Sequence, residues 1–345
     1  MAGLSSIRCR LRPLLSIVRN SWSQSSSDYQ MGSLDKPVLV ICGPTGSGKT
    51  KIGIDVARRI GGEIISADAR QFYKLMDIGT AKPTPEERAQ VPHHLVDIAN
   101  INDHITAADF RDLALKCIAG IFCRGCIPII VGGSGLYIRA LEKGFFEGPK
   151  ADPQYRRYLE SRIEKEGIES LYKYLQEIDR ATADRLSPRD RSRIIRALEV
   201  HNSTGKSMTT LWNESQRRQS EYEFIKAGIR WLRAELHKRI DARVKQMVEA
   251  GFIDEVKIVQ ENIHPDSIHL FKSLGYREFK GYLDGNYDLD RAIYLTQLRT
   301  HQYAKRQMTW FNADPDIRWF DPQENDVVEN IISYFRTMMQ SNRLT

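Results

Sequence analysis

Residues 43 to 50 read GPTGSGKT and follow directly on the apolar run Val38 to Cys42. The stretch satisfies G-x-x-x-x-G-K-[ST], a pattern that works only where a buried strand ends at the first glycine and a helix begins at the lysine. Gly43, Gly46 and Gly48 allow backbone N–H groups to converge on the oxygens of an anion. Pro44, Thr45 and Ser47 complete the loop, Lys49 adds a mobile positive charge, and the Thr50 hydroxyl can ligate Mg²⁺ at the helix N-terminus. Such a loop predicts an α/β fold: a P-loop NTPase-like core with a parallel sheet flanked by helices and ligands at the carboxyl ends of the strands.

The rest of the text fits that frame. Glu63 to Ser66, ending near Asp68, and Ile127 to Val131, ending at Gly132 and Gly133, read as further parallel strands, and Ala107 to Phe122 has the spacing of a crossover helix. From Asp152 to about Trp212 strand signals vanish and charged helical text such as Tyr155 to Lys165 and Arg191 to Val200 takes over. The expected organisation is therefore a core over 36–150, a helical insertion over 151–222, the second part of the core over 223–325, and a helix or tail over 326–345. Glu235 to Val259 is strongly amphipathic, with Leu236, Ile240, Val244, Met247 and Val248 on one stripe and Gly251 placed to interrupt it.

Residues 1–35 stand apart as an N-terminal extension. Arg8, Arg10, Arg12 and Arg19, many serines and no acid before Asp28 match a mitochondrial transit peptide; an unstructured extension, with Met31 as the true start, fits equally.

Composition narrows the function. Apolar residues at 41% and charged residues at 28% describe a soluble globular chain, and no apolar run approaches the ~20 residues that cross a bilayer, so no membrane role is expected. Five cysteines in 345 residues are too sparse for a disulfide scaffold and suit a reducing compartment, the cytoplasm unless the extension is an address. Cys123 and Cys126 form a C-x-x-C without the second pair that a zinc site needs. The net charge of +7 favours an anionic partner. Basic residues gather from Arg189 to Arg239, and Arg299, Lys305 and Arg306 interleave with Tyr303, Trp310 and Phe311 in an acid-free stretch, a mixture suited to an RNA backbone and its bases.

The loop alone does not fix the reaction, because the same cradle serves ATPases, kinases and any enzyme whose substrate ends in a diphosphate. A kinase or ATPase reading expects a strand ending in a metal-holding acid, yet Ile127 to Val131 runs into Gly132, Gly133 and Ser134. The nearby acid at a strand end is Asp68. It could hold a metal, act as a general base, or cap a helix starting at Ala69 and Arg70.

Five ordered motifs narrow the choice. ISADARQFYKLMDIGTAKP (Ile65 to Pro83), HHLVDI (His93 to Ile98), VGGSGLYIRAL (Val131 to Leu141), RIIRALEVHNSTGK (Arg193 to Lys206) and QYAKRQMTWF (Gln302 to Phe311) together resemble the tRNA dimethylallyltransferase (isopentenyltransferase) family, over about Val38 to Asp321. The resemblance implies that the loop holds dimethylallyl diphosphate with Mg²⁺, and that the prenyl group moves to N6 of adenosine 37 in the tRNA anticodon stem-loop. It implies Asp68 as general base, Thr50 as the metal ligand, and Arg233 as an additional diphosphate clamp. It further implies Ala69, Arg70 and Gln71 around the adenine, and Ser134, Arg156, Ser192, Arg193, Ile194, Ile195 and Arg196 against tRNA. The enzyme is expected to act as a monomer. Ser134 stands where the family usually has Thr, which keeps a hydroxyl, and Ala69 where Ser is common, which removes one hydrogen bond to adenine. Adenylate isopentenyltransferases, which use free AMP, ADP or ATP, share the loop and the acid, so the acceptor is the less constrained half of the reading; a P-loop kinase is the more distant alternative.

Overall fold

Six strands form one sheet: β1 (Pro37–Cys42), β2 (Gly62–Ser66), β3 (His93–His94), β4 (Ile127–Gly132), β5 (Glu223–Ile229) and β6 (Ile317–Phe320), in the order β3-β2-β4-β1-β5-β6. Every neighbouring pair is parallel. The computed structural model describes residues 36–144, 148–149, 152–215, 220–264 and 270–341, so the expected extension over 1–35 lies outside the described residues.

Strand β1 is central and buried on both faces, which is why it reads as an unbroken apolar run. Val38, Val40 and Cys42 face a core shared with Phe110, Ala114, Ile118 and Ile121 of the Ala107–Cys123 helix. Leu39 and Ile41 face the Lys49–Ile60 and Val327–Ser341 helices through Val56, Ile331, Ile332 and Phe335. Cys42 pairs with Gly132 of β4 on one side and Gly228 of β5 on the other, so the ends of these three strands lie level. A Cβ at Gly132 would lie 2.2 Å from the Ala67 carbonyl oxygen, and this close approach brings the segment after β2 against the end of β4. The loops that carry Asp68, the P-loop, Ser134 and Trp231 thus gather on one edge.

The three strands read from the sequence are present, and β3, β5 and β6 are additional. Strand β5 escapes a hydrophobic pattern because it carries the fully buried Lys226, whose ammonium is held by Glu142 and Asp314 at 2.8 Å each. Its pKa is raised, the carboxylates outweighing the opposing effect of burial. The amphipathic segment is two helices, Arg233–Glu249 and Phe252–Asn262, broken at Gly251 with φ 95°.

Helices Pro153–Glu166, Ile168–Ile178, Arg180–Ala183, Arg191–Thr204 and Met208–Ser215 gather round a cluster of their own that includes Leu159, Leu171, Leu175 and Leu198. Ile194 and Ile195 belong to it, at 0% and 4% exposure. This corrects the expectation that the whole run Ser192 to Arg196 faces RNA: helical periodicity turns the two isoleucines inward and leaves Ser192 and Arg193 exposed.

Candidate active site

The P-loop leaves β1 and enters the Lys49–Ile60 helix through Gly48, which has φ 83° and supplies no side-chain cap, so the first N–H groups of the helix remain open to an anion. Gly46, at φ 79°, is required twice over, because a Cβ there would come within 2.9 Å of Ile240.

Two helices clamp this loop. From Arg233–Glu249, Arg239 donates through Nε to the Gly46 carbonyl at 3.0 Å and stacks on Trp231, whose indole N–H donates to the Ser47 carbonyl at 2.9 Å. Arg243 reaches the Thr45 hydroxyl at 3.3 Å. From the Leu289–Asn312 helix, Gln307 accepts the Thr45 backbone N–H at 2.9 Å and donates to the Gly133 carbonyl at 2.8 Å.

The electrostatics call for an anion. Lys49 donates to the Pro44 carbonyl at 3.0 Å, and burial lowers its pKa to about 8, opposed by the charge of Asp68 and reinforced by Arg243. Burial likewise lowers Arg243, again with Asp68 opposing. The buried Ser47 hydroxyl finds no hydrogen-bond partner among the described residues.

Asp68 lies across the same cleft. Its Oδ1 accepts the Arg70 backbone N–H at 2.9 Å in a turn, and no helix starts there, so the capping alternative drops out. Burial, with Asp68's charge adding to it, pushes Tyr303 up to about 12. The cleft has a volume of about 360 Å³. Thr45, Asp68, Ala69, Arg70, Ser134, Arg243 and Arg306 line it, and Ile240, Val244, Met247 and Phe252 give it an apolar wall.

Other expected residues lie elsewhere. Arg233 is exposed in the first turn of its helix, and the arginine which that helix contributes to the cleft is Arg243, ten residues and about 15 Å further along. This corrects the placement of the clamp. Gln71 is buried, bonded to the Ser66 hydroxyl at 2.8 Å and to the Thr80 and Ala81 carbonyls, so it braces the cleft wall and does not line it. Arg156 forks onto the buried Glu199 at 2.8 and 2.7 Å, and Arg299 pairs with buried Glu278. Arg193, at 67% side-chain exposure, and the exposed Lys305 remain open to a partner. Arg193 also borders a second cavity of about 290 Å³ with Arg139, Trp212 and Trp310.

Sequence reading passed over Arg243, Gln307 and Trp231. The signal for the first was present: Arg239 and Arg243 are four apart and each precedes a residue of the buried stripe, Ile240 and Val244.

Fold and cleft together define an α/β P-loop enzyme with a cationic anion cradle, an apolar wall and one carboxylate opposite. The IPP transferase family model matches residues 71–314, and the chain belongs to that family. A tRNA dimethylallyltransferase 2 of Syntrophus aciditrophicus is 45% identical over 298 residues, covering 86% of this chain and 96% of the relative. The Bacillus halodurans tRNA isopentenylpyrophosphate transferase structure is 38% identical with a TM-score of 0.65, covering 89% of this chain and 98% of that one. A eukaryotic dimethylallyltransferase described as acting on tRNA superposes with a TM-score of 0.76 at 27% identity, covering 89% of this chain and 80% of that one.

Proposed function

We propose that this enzyme transfers the dimethylallyl group of dimethylallyl diphosphate to N6 of adenosine 37 in the anticodon stem-loop of tRNA. The observation that carries the reading is the sharing of one cleft by Thr45 of the P-loop, Arg243, an apolar wall and Asp68, with Lys49 close enough to feel the charges of Asp68 and Arg243. An allylic carbon that loses diphosphate develops positive charge. Lys49, Arg243 and the loop N–H groups stabilise the leaving diphosphate, while Asp68 takes the N6 proton as the new C–N bond forms. Ala69 and Arg70 line the cleft next to Asp68, and we assign them to the flipped adenine; unstacking it costs a few kcal/mol, recovered in pocket contacts.

The donor set suits a hard cation. Thr50 lies in the first turn of the helix, and no group of three or more His, Cys, Asp or Glu is poised for a metal among the described residues. Mg²⁺ would then take a Thr50 hydroxyl and otherwise diphosphate oxygens and water, and would neutralise charge on the leaving group. Arg193, Lys305 and Arg306 are the cations we assign to the RNA backbone. No described helix is long and apolar enough to cross a membrane, and we place the enzyme in the cytoplasm, or in the mitochondrion if residues 1–30 are an address.

The test is incubation with radiolabelled dimethylallyl diphosphate and either unmodified tRNA or AMP. Label in tRNA is expected; label only in AMP would move the enzyme to the adenylate-using class, and label in neither would end the prenyl-transfer reading.

A further inference from the structure

Past the P-loop the cleft is lined along the Arg233–Glu249 helix by Val244 and Met247, and beyond it by Phe252, Leu274, Tyr276 and the backbone of Gly79 and Thr80, which belong to a strap over residues 75–81. The strap is strained. Leu75 and Ala81 hold φ values of 68° and 46°, a left-handed conformation that non-glycine residues keep only when their surroundings enforce it. At Gly79 the strap lies flat on the end wall, since a Cβ there would come within 2.3 Å of Phe252 and 2.7 Å of Tyr276.

One side chain holds the strap down. Glu255, buried at 9% exposure, accepts the backbone N–H groups of Asp77, Ile78 and Gly79 at 2.9, 2.7 and 3.0 Å, and the Tyr276 hydroxyl at 2.6 Å. Three successive N–H groups turned onto one carboxylate form an anion nest filled by the protein itself. Bonds to an ionised acceptor are about twice as strong as neutral ones, which suits them to holding a strained segment. The same carboxylate also fixes Tyr276, so both faces of the cleft's end depend on it. From Arg243, beside the P-loop, to Met247 is one turn, about 6 Å. That distance matches one isoprene unit between the arginine and the Phe252–Tyr276 wall.

We propose that Glu255 is a positioning residue that sets the depth of the alkyl end of the cleft and so the length of the prenyl group the enzyme accepts. The inference rests on the prenyl-transfer reading. Glu255 is not among the residues that line the cleft; it acts through Gly79 and Tyr276, which are. With a glutamine there, one backbone N–H faces an amide NH₂ and the charge is gone, so the strap is released and the end of the cleft opens.

The test compares wild type, Glu255→Gln and Tyr276→Phe with dimethylallyl and geranyl diphosphate as donors to unmodified tRNA. For Glu255→Gln, KM for dimethylallyl diphosphate should rise about tenfold, the scale of one charged hydrogen bond, with kcat changed much less. The preference for the five-carbon over the ten-carbon donor should fall by a similar factor. Tyr276→Phe removes only one of the four donors and should move both quantities the same way by less; it decides the matter if the glutamine variant does not fold. Unchanged donor preference in folded variants, or a fall in kcat with KM unaltered, would overturn the assignment. Wild type that transfers neither donor would overturn the function itself, and this inference with it.

Discussion

Gln307 spans two loops with one amide: its carbonyl accepts the Thr45 N–H at 2.9 Å while its NH₂ donates to Gly133 at 2.8 Å. It joins the P-loop after β1 to the turn after β4, and so fixes the spacing of the P-loop relative to Ser134. Glutamate at this position would keep the acceptor, lose the donor, leave the Gly133 carbonyl unpaired and add negative charge beside the cradle. Gln307→Glu should therefore raise KM for dimethylallyl diphosphate by at least about tenfold, measured by steady-state transfer at saturating tRNA. An unchanged KM would show that the bridge does not shape the donor site.

Asp68 offers a substitution that separates fold from chemistry. Asparagine retains an oxygen to accept the Arg70 N–H, so the turn should persist, yet it cannot take up the N6 proton. Asp68→Asn should lower kcat by about 10²–10⁴-fold, the range of general-base catalysis, with tRNA affinity held near wild type in a filter-binding assay. Turnover within a few-fold of wild type would remove the base assignment.

Lys49 gives a pH dependence with two opposite signs. Burial lowers its pKa to about 8 from 10.5, so between these values the unfolded chain binds more protons than the folded one, and the stability of the ligand-free enzyme should rise with pH through the interval. Donor binding runs the other way, since the charge that grips diphosphate is lost as pH rises through about 8. A plot of kcat/KM for the donor should fall above that pH, and Lys49→Arg, which keeps its charge, should lose that limb. A limb unchanged in the arginine variant would assign the titration to another group.

The P-loop, three strands, the crossover helix and the glycine break at 251 were legible because each rests on a local pattern: period, turn chemistry or a motif. What was not legible arises from contacts distant in sequence. Strand β5 hides behind Lys226, which is tolerable only because Glu142 and Asp314 fold over it. Arg233 and Arg243 look alike as letters on a basic helix, and only the placement of that helix over Gly46 and Thr45 separates the exposed one from the one at the cleft. Gln307 is an uncharged residue in a basic stretch, and its role exists only once β1 and β4 lie side by side. Family resemblance supplied the acceptor and the role proposed for Asp68, both of which residue chemistry alone left open.

Within a single helical turn, Arg193 and Ile194 should report opposite functions. Ile194 is fully buried among Leu159, Leu171 and Leu198, so Ile194→Ala should cost about 2–5 kcal/mol of stability, read as a lowered denaturation midpoint. Arg193 is exposed, its partner Asp190 lies at the surface end of the same helix, and pairs of this kind contribute about 0–1 kcal/mol. Arg193→Ala should leave the midpoint nearly unchanged while weakening tRNA binding and reducing the slope of log Kd against log salt by about one, the signature of one lost phosphate contact. An unaltered salt slope would take Arg193 out of the RNA surface and leave its neighbours Ser192 and Arg196 to be tested in the same way.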